Sequence, residues 1–502
     1  MERAADNTDA YGRDPPPTLE PSVTATHLPA ATAVPAHLDD VAQTLGGQLG
    51  ETRTTLEHLV RIPSISSQPE HAGDVRDSAT ATAEVLRGAG LEDVRLLELD
   101  GVHPYVTGSW LHAGDDAPTV LLYAHHDVQP VGTAHRWTSP PFEPTERDGR
   151  LYGRGAADDK AGIMAHVAAI RAWLTTRGRL PVNVKVIIEG EEEIGSPNLP
   201  RFLAAHAHEL TSDVIVLTDL VNWKIGWPSL TYALRGMADV TVTVRALKQP
   251  VHSGMWGGAV PDALTGTMHL IAGLHDERGV IAVPGFCDDV RVLPEAERAR
   301  LDALAADPGE LRGEVRMLDG VEFVGDPDRT LLERMWMQPT ITPTGMDVPA
   351  VAEASNTLLS EVRTKLSCRL APGQDPDRAV GALRDHLLAS APWGLTVEVE
   401  LGERNPAWVM EPGGGAWDAA IAAMTAGYGR APATLGCGGS IPFVEPFSEA
   451  FDGAPCLLVG VEDPGSNAHG EDESLHLDDF ARACLTEMVL LAELADRAGD
   501  LG

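Results

Sequence analysis

Several things are scarce in this sequence, and each scarcity argues against a class of protein. Its 502 residues hold five cysteines (Cys287, Cys368, Cys437, Cys456, Cys484), odd in number, widely spaced and never arranged as CxxC. That pattern argues against a disulfide framework and against a thiolate zinc site, and it fits a reducing cytoplasm. No run of about 18 unbroken apolar residues is available to span a bilayer. Basic residues are few: 38 Lys and Arg stand against 74 Asp and Glu, a net charge of −36 that repels phosphate backbones and anionic lipid. Neither nucleic acid nor membrane is therefore an expected partner, and the excess acid reads as a solvated surface. Residues 1–36, with Asp14-Pro15-Pro16-Pro17 and an Ala/Thr/Pro-rich stretch to Pro35, lack the basic start and apolar core of a signal peptide and read as a disordered tail.

What remains is an ordinary globular composition, 43% hydrophobic and 22% charged, in a chain too long for one core. Val120 to Tyr123, Val182 to Ile188, Val214 to Leu217 and Cys456 to Val459 are short apolar runs suited to buried strands of a mostly parallel sheet. Ile163, Val167, Ile170 and Leu174 recur at helical spacing between them, so this unit is α/β. After Gly236 the pattern changes to strict alternation in Asp239 to Arg245, Val362 to Leu370 and Leu395 to Leu401, with helical stretches at 262–274 and 377–388. That order predicts a smaller α+β sandwich, ferredoxin-like, inserted in the larger unit. The expected division is 37–235 and 403–502 for a catalytic unit and 236–402 for a lid and dimerisation unit. Residues 277–345 carry Asp/Glu/Gly/Pro-rich segments without a clear place.

Chemistry-bearing residues stand where these runs end. His125 closes a strand-like stretch and is followed by Asp127 and Pro130; Asp158 and Asp159 lie in a glycine-marked turn before the helix; Glu192 and Glu193 follow Ile187-Ile188-Glu189-Gly190; Asp219 ends another apolar run; His469 lies in Ala468-His469-Gly470-Glu471-Asp472-Glu473. A lone His-x-Asp or acidic cluster carries little information, because most are solvated surface. Several such motifs in one chain, each at a strand end or turn, are a different matter. Two divalent ions about 3.5–4 Å apart need a bridging carboxylate to offset their repulsion, and Asp158 suits that role.

At these motifs, from about Ile62-Pro63-Ser64 to Leu475, the chain resembles the M20 family of co-catalytic zinc peptidases, in its dipeptidase, carnosinase-like branch. The resemblance implies that His125 and Asp219 hold one metal, Glu193 and His469 the other, and Asp158 both, leaving room for a shared water. It implies two divalent ions per subunit, zinc in the first place, with manganese or cobalt accepted by the same ligands. Glu192, beside a ligand but not one itself, is the expected general acid/base, and Asp127 is expected to take the second ring proton of His125 and fix its tautomer. His252, in Val251-His252-Ser253-Gly254, resembles a histidine that reaches across a homodimer interface to polarise the scissile carbonyl. Arg369 resembles the arginine that grips the substrate's free carboxylate, and the turn Gly438-Gly439-Ser440 resembles a loop, with Gly439 and Ser440, that binds the same group. Where such relatives carry Arg-Glu before the glycines, this chain has Gly436-Cys437.

The implied activity is hydrolysis of dipeptides or short peptides with a free C-terminal carboxylate, because the family's dipeptidases tend to carry aspartate at the position of Asp219. Two alternatives stand beside it: an N-acyl-amino-acid amidohydrolase, and a metal-binding protein of the same fold without turnover, whose mark would be loss of Glu192.

Overall fold

The computed structural model describes Leu28, Pro29 and residues 33–501 apart from Ser440, Pro442 and Asp452; most of the expected 1–36 tail, and Ser440, lie outside the described residues. The chain first lays down β1 (Glu92–Leu97), β2 (Tyr105–Trp110), β3 (Thr119–His125), β4 (Asn183–Glu189), β5 (Val214–Val221) and β6 (Ser229–Leu234). It then builds a second sheet from β7 (Gly236–Arg245), β8 (Thr340–Met346), β9 (Glu361–Leu370) and β10 (Thr396–Asn405), and returns with β11 (Trp408–Val409), β12 (Ala433–Cys437) and β13 (Cys456–Glu462).

The central sheet runs β1-β2-β4-β3-β5-β13-β6-β11, with β12 beside β6. Its middle strands β4, β3, β5 and β13 are parallel, and antiparallel pairs flank them. The middle strands are mostly apolar because both faces are covered, and their polar residues gather toward the ends. Along β3, Val120, Leu122 and Ala124 enter one core with the helices Lys160–Arg177, Gly414–Tyr428 and Leu477–Asp496. The intervening Leu121 and Tyr123 enter another core, with Phe202 and Phe447 from the opposite side. This α/β architecture bears out the expected fold class at the sheet's centre.

The second sheet is antiparallel in the order β8-β9-β7-β10. The helices Ala263–Ala272 and Pro376–Ala389 bury Leu270, Val380, Leu383 and Leu387 against Val240, Val242, Leu366 and Leu370. Strand, helix, strand, strand, helix, strand in this spatial order is the ferredoxin-like arrangement. The alternating runs announced β7, β9 and β10 but not β8. That strand lies at the sheet edge, is largely exposed and is bulged between Pro343 and Gly345, so it needs no alternation.

Candidate metal centre

The parallel strands aim their carboxyl ends at one place. β3 ends on His125, β4 on Glu189 and β13 on Glu462, and β5 brings Asp219 near its end. Open α/β sheets place their sites there because the loops that leave the strand ends can diverge. Asp158 arrives from the turn before the helix Lys160–Arg177, with a cis peptide bond to Asp159. Glu192 and Glu193 lie in a short helical turn after β4.

Two ligand groups result, sharing one residue. His125, Asp158 and Asp219 form the first, and Asp158, Glu193 and His469 the second, each with its donor atoms within 4.8 Å of one another. Asp158 has Oδ1 3.0 Å from His125 Nε2 and Oδ2 3.0 Å from His469 Nε2. Asp219 Oδ2 lies 3.7 Å from His125 Nε2, and Glu193 Oε2 lies 3.2 Å from His469 Nε2. The five residues expected as ligands thus come together from five separate segments. His125 is fully buried whereas the His469 side chain is 60% exposed, so the first group is closed and the second opens to solvent.

The donor set fits divalent cations. His125 Nδ1 lies 3.1 Å from the main-chain carbonyl of Asp127, which can only accept, so the ring proton sits there and Nε2 faces the carboxylates. Nε2 is buried and has no hydrogen-bond partner. Asp127 is the expected residue, but the acceptor atom differs: its carboxylate stands 3.5 Å from Nδ1, and its Oδ2 accepts the Glu193 amide at 3.1 Å. The charges tell the same story. Burial opposes protonation of His125, yet Asp219, Asp127 and Asp158 together push its pKa well above the ordinary value. Hydrogen bonds to Asp158 and Glu193 raise His469 to about 11. Burial and then Asp158 lift Glu193 to about 7. Without cations, protons must hold this acidic cluster together, which is the property of a site built to exchange them for metal. Burial, outweighing the attraction of His125, combines with Asp219, Glu193 and Asp158 to raise Glu192 well above its ordinary value.

Sequence reasoning missed the frame behind the ligands. The buried carboxylate of Glu473 accepts the main-chain amides of Gly155, Ala157 and Asp158 at 3.0, 3.0 and 3.2 Å, and Arg154 Nη1 at 2.7 Å. Arg154 Nη2 in turn donates to the carbonyls of Pro130 and Gly470. One buried ion pair therefore ties the loops of His125, Asp158 and His469 together. Gln129 clamps Glu193, its amide donating to Oε1 and its Nε2 to Oε2, both at 2.9 Å.

The substrate-side residues are less gathered. His252 is exposed on the second sheet's unit, where its Nδ1 accepts the amide of Gly254 at 3.0 Å. Arg369 lies on β9 opposite Met237 and Thr340. Arg235, also missed, joins β6 to β7; burial and then the nearby charge of Arg369 lower its pKa to about 10. Its Nε donates to the Gly438 carbonyl at 3.0 Å and its amide to that of Gly439 at 3.1 Å, so the two arginines and the glycine turn share one neighbourhood.

Residues 121–492 match the model of peptidase family M20/M25/M40. The chain is 33% identical to the cysteinylglycine-S-conjugate dipeptidase of Corynebacterium striatum, over 87% of this chain and 94% of that protein. It is 29% identical to the human Beta-Ala-His dipeptidase, over 87% of this chain and 89% of that one. The crystal structure of human carnosine dipeptidase 1 superposes with a TM-score of 0.82 at 26% identity, covering 92% of this chain and 99% of that chain. With the match to the family model spanning most of its length, the chain belongs to the hydrolases of peptidase family M20/M25/M40.

Proposed function

We propose that the protein is a two-metal dipeptidase acting on peptides with a free C-terminal carboxylate. One observation carries this reading: the two oxygens of Asp158 face two different histidines at 3.0 Å each, one in either ligand group. The two ions, zinc in our reading, supply when bound a water activated at neutral pH and a Lewis acid for the scissile carbonyl. Glu192 takes the proton of the attacking water and returns it to the leaving amine. Asp127 holds His125 in its ligating tautomer. Arg369, with Gly439 and Ser440, receives the C-terminal carboxylate, and His252 donates to the scissile carbonyl from the partner subunit of a homodimer. The exposed Met255 and Trp256 beside it support a covered surface there. Residues 37–235 and 403–502 form the catalytic unit, and 236–402 the lid. Five unpaired cysteines, and the absence among the described residues of a helix long and apolar enough to cross a membrane, support a cytoplasmic enzyme.

Relatives named for Cys-Gly and Beta-Ala-His support peptides over acyl-amino acids as substrates. The test is a panel of dipeptides and N-acetyl or N-succinyl amino acids offered to the zinc-reconstituted protein. Turnover of dipeptides at least tenfold above the acyl compounds is expected; the reverse order would make it an amidohydrolase.

A further inference from the structure

The 277–345 segment folds over the glycine turn. Its helix Leu331–Trp336 and the following Met337 press on β12 so closely that a Cβ at Gly436 would come within 2.6 Å of Met337 Cε and 3.0 Å of Trp336 Cβ. A side chain at 436 would require Met337 and Trp336 to shift, which favours glycine there. Met335 and Trp336 then line two cavities. The smaller, about 250 Å³, is bounded by Leu220 and Val221, next to Asp219, and by Gly436 and Cys437. The larger, about 690 Å³, is bounded by Arg235 and Gly438 and walled by Phe323, Val324, Met335 and Ile341. Its size is that of a ligand pocket.

We propose that the larger cavity receives the side chain of the substrate's C-terminal residue and selects large apolar ones, of the leucine, methionine and phenylalanine class. This rests on the reading above, in which Arg369 and the glycine turn hold the C-terminal carboxylate. The carbon that bears that carboxylate also bears the side chain. A carboxylate held beside Arg235 and Gly438 therefore leaves its side chain at the mouth of the cavity that those two residues bound. The charged groups of the wall are already engaged. Arg334 donates to the carbonyls of Arg329 and Val324, Arg329 pairs with Asp326 at 3.3 Å and Glu333 at 2.6 Å, and Arg235 spends its guanidinium on Gly438 and Gln338. An apolar side chain would leave water for a mostly apolar wall, whereas an acidic one would have to give up its hydration there.

The test uses the full-length, zinc-loaded protein and the dipeptides Ala-Gly, Ala-Leu, Ala-Phe and Ala-Glu. Ala-Leu and Ala-Phe should exceed Ala-Gly and Ala-Glu in kcat/KM by tenfold or more, through KM. Met335→Trp and Thr342→Trp fill the cavity from two walls, the helix and the exposed edge strand β8. Each should cut the Ala-Phe to Ala-Gly ratio at least tenfold, and Thr342→Trp decides if Met335→Trp does not fold. A native enzyme that cleaves all four alike, or a folded Thr342→Trp variant with the native ratio, overturns the pocket while leaving the dipeptidase reading intact. A native enzyme that cleaves none of them overturns both.

Discussion

On the central sheet, five candidate ligands are held by a frame that lies wholly within one chain: carboxylate to amide, arginine to carbonyl, glutamine to glutamate. On the second sheet's unit, His252 is exposed, its ring accepting the amide of its near neighbour Gly254, and Arg235 borders a cavity beside the glycine turn. The metal side is preorganised before anything binds, so its geometry tolerates no loss of scaffold. The lid side becomes complete only with something else, a substrate carboxylate or, in our reading, a second subunit. Damage to the first should therefore destroy turnover or the fold, whereas damage to the second should alter preference or be repaired from outside.

The largest effect is expected of Glu192→Gln. It removes a proton carrier and no ligand, so turnover should fall about 10²–10⁴-fold while zinc content and thermal unfolding stay native. Loss of metal along with activity would make Glu192 a ligand instead. Glu473→Ala leaves Arg154 as an unpaired buried charge and three amides without an acceptor. A destabilisation of about 3–5 kcal/mol is expected, read as a lower denaturation midpoint, together with weaker zinc retention on dialysis. A stable variant with native zinc affinity would separate the ion pair from the site.

Which of these features the sequence discloses follows from how local their causes are. A histidine or aspartate at the end of an apolar strand is visible because the strand's period ends there, as at His125 and Asp219, whereas Asp158, Glu193 and His469 lie in turns and were picked out through the family resemblance of their motifs. Glu473 was not. It follows Glu471 and Asp472 in an acidic run, and nothing in the pattern separates the one that turns inward from the two that face loops at 133–138. Arg235 and the helix Leu331–Trp336 were hidden for the same reason, since both act on the glycine turn about 200 and 100 residues away along the chain. The atom that orients His125 was also out of reach, because a main-chain carbonyl carries no sequence signal.

His252 sharpens the comparison from the lid side. His252→Ala should lower kcat about 10²–10³-fold if it is a typical oxyanion donor. A mixed dimer of one His252→Ala chain and one Glu192→Gln chain, purified on two tags, should recover about half the native activity, because one of its two sites is then whole. A mixed dimer as inactive as its parents would place His252 within its own chain's site or outside catalysis. The smallest change is expected of Arg369→Ala, where loss of a charge-assisted hydrogen bond of about 1.5–3 kcal/mol should weaken dipeptides far more than their C-terminal amides. Equal losses for acid and amide would make the arginine structural.

The central claim is that one carboxylate holds two metal sites together, and zinc content after exhaustive dialysis tests it most directly. The native protein should retain two zinc ions per chain and Asp158→Ala close to none, because both ligand groups lose a member at once. One zinc per chain in the native protein, or an Asp158→Ala variant that gives up a single ion and keeps the other, would contradict the account.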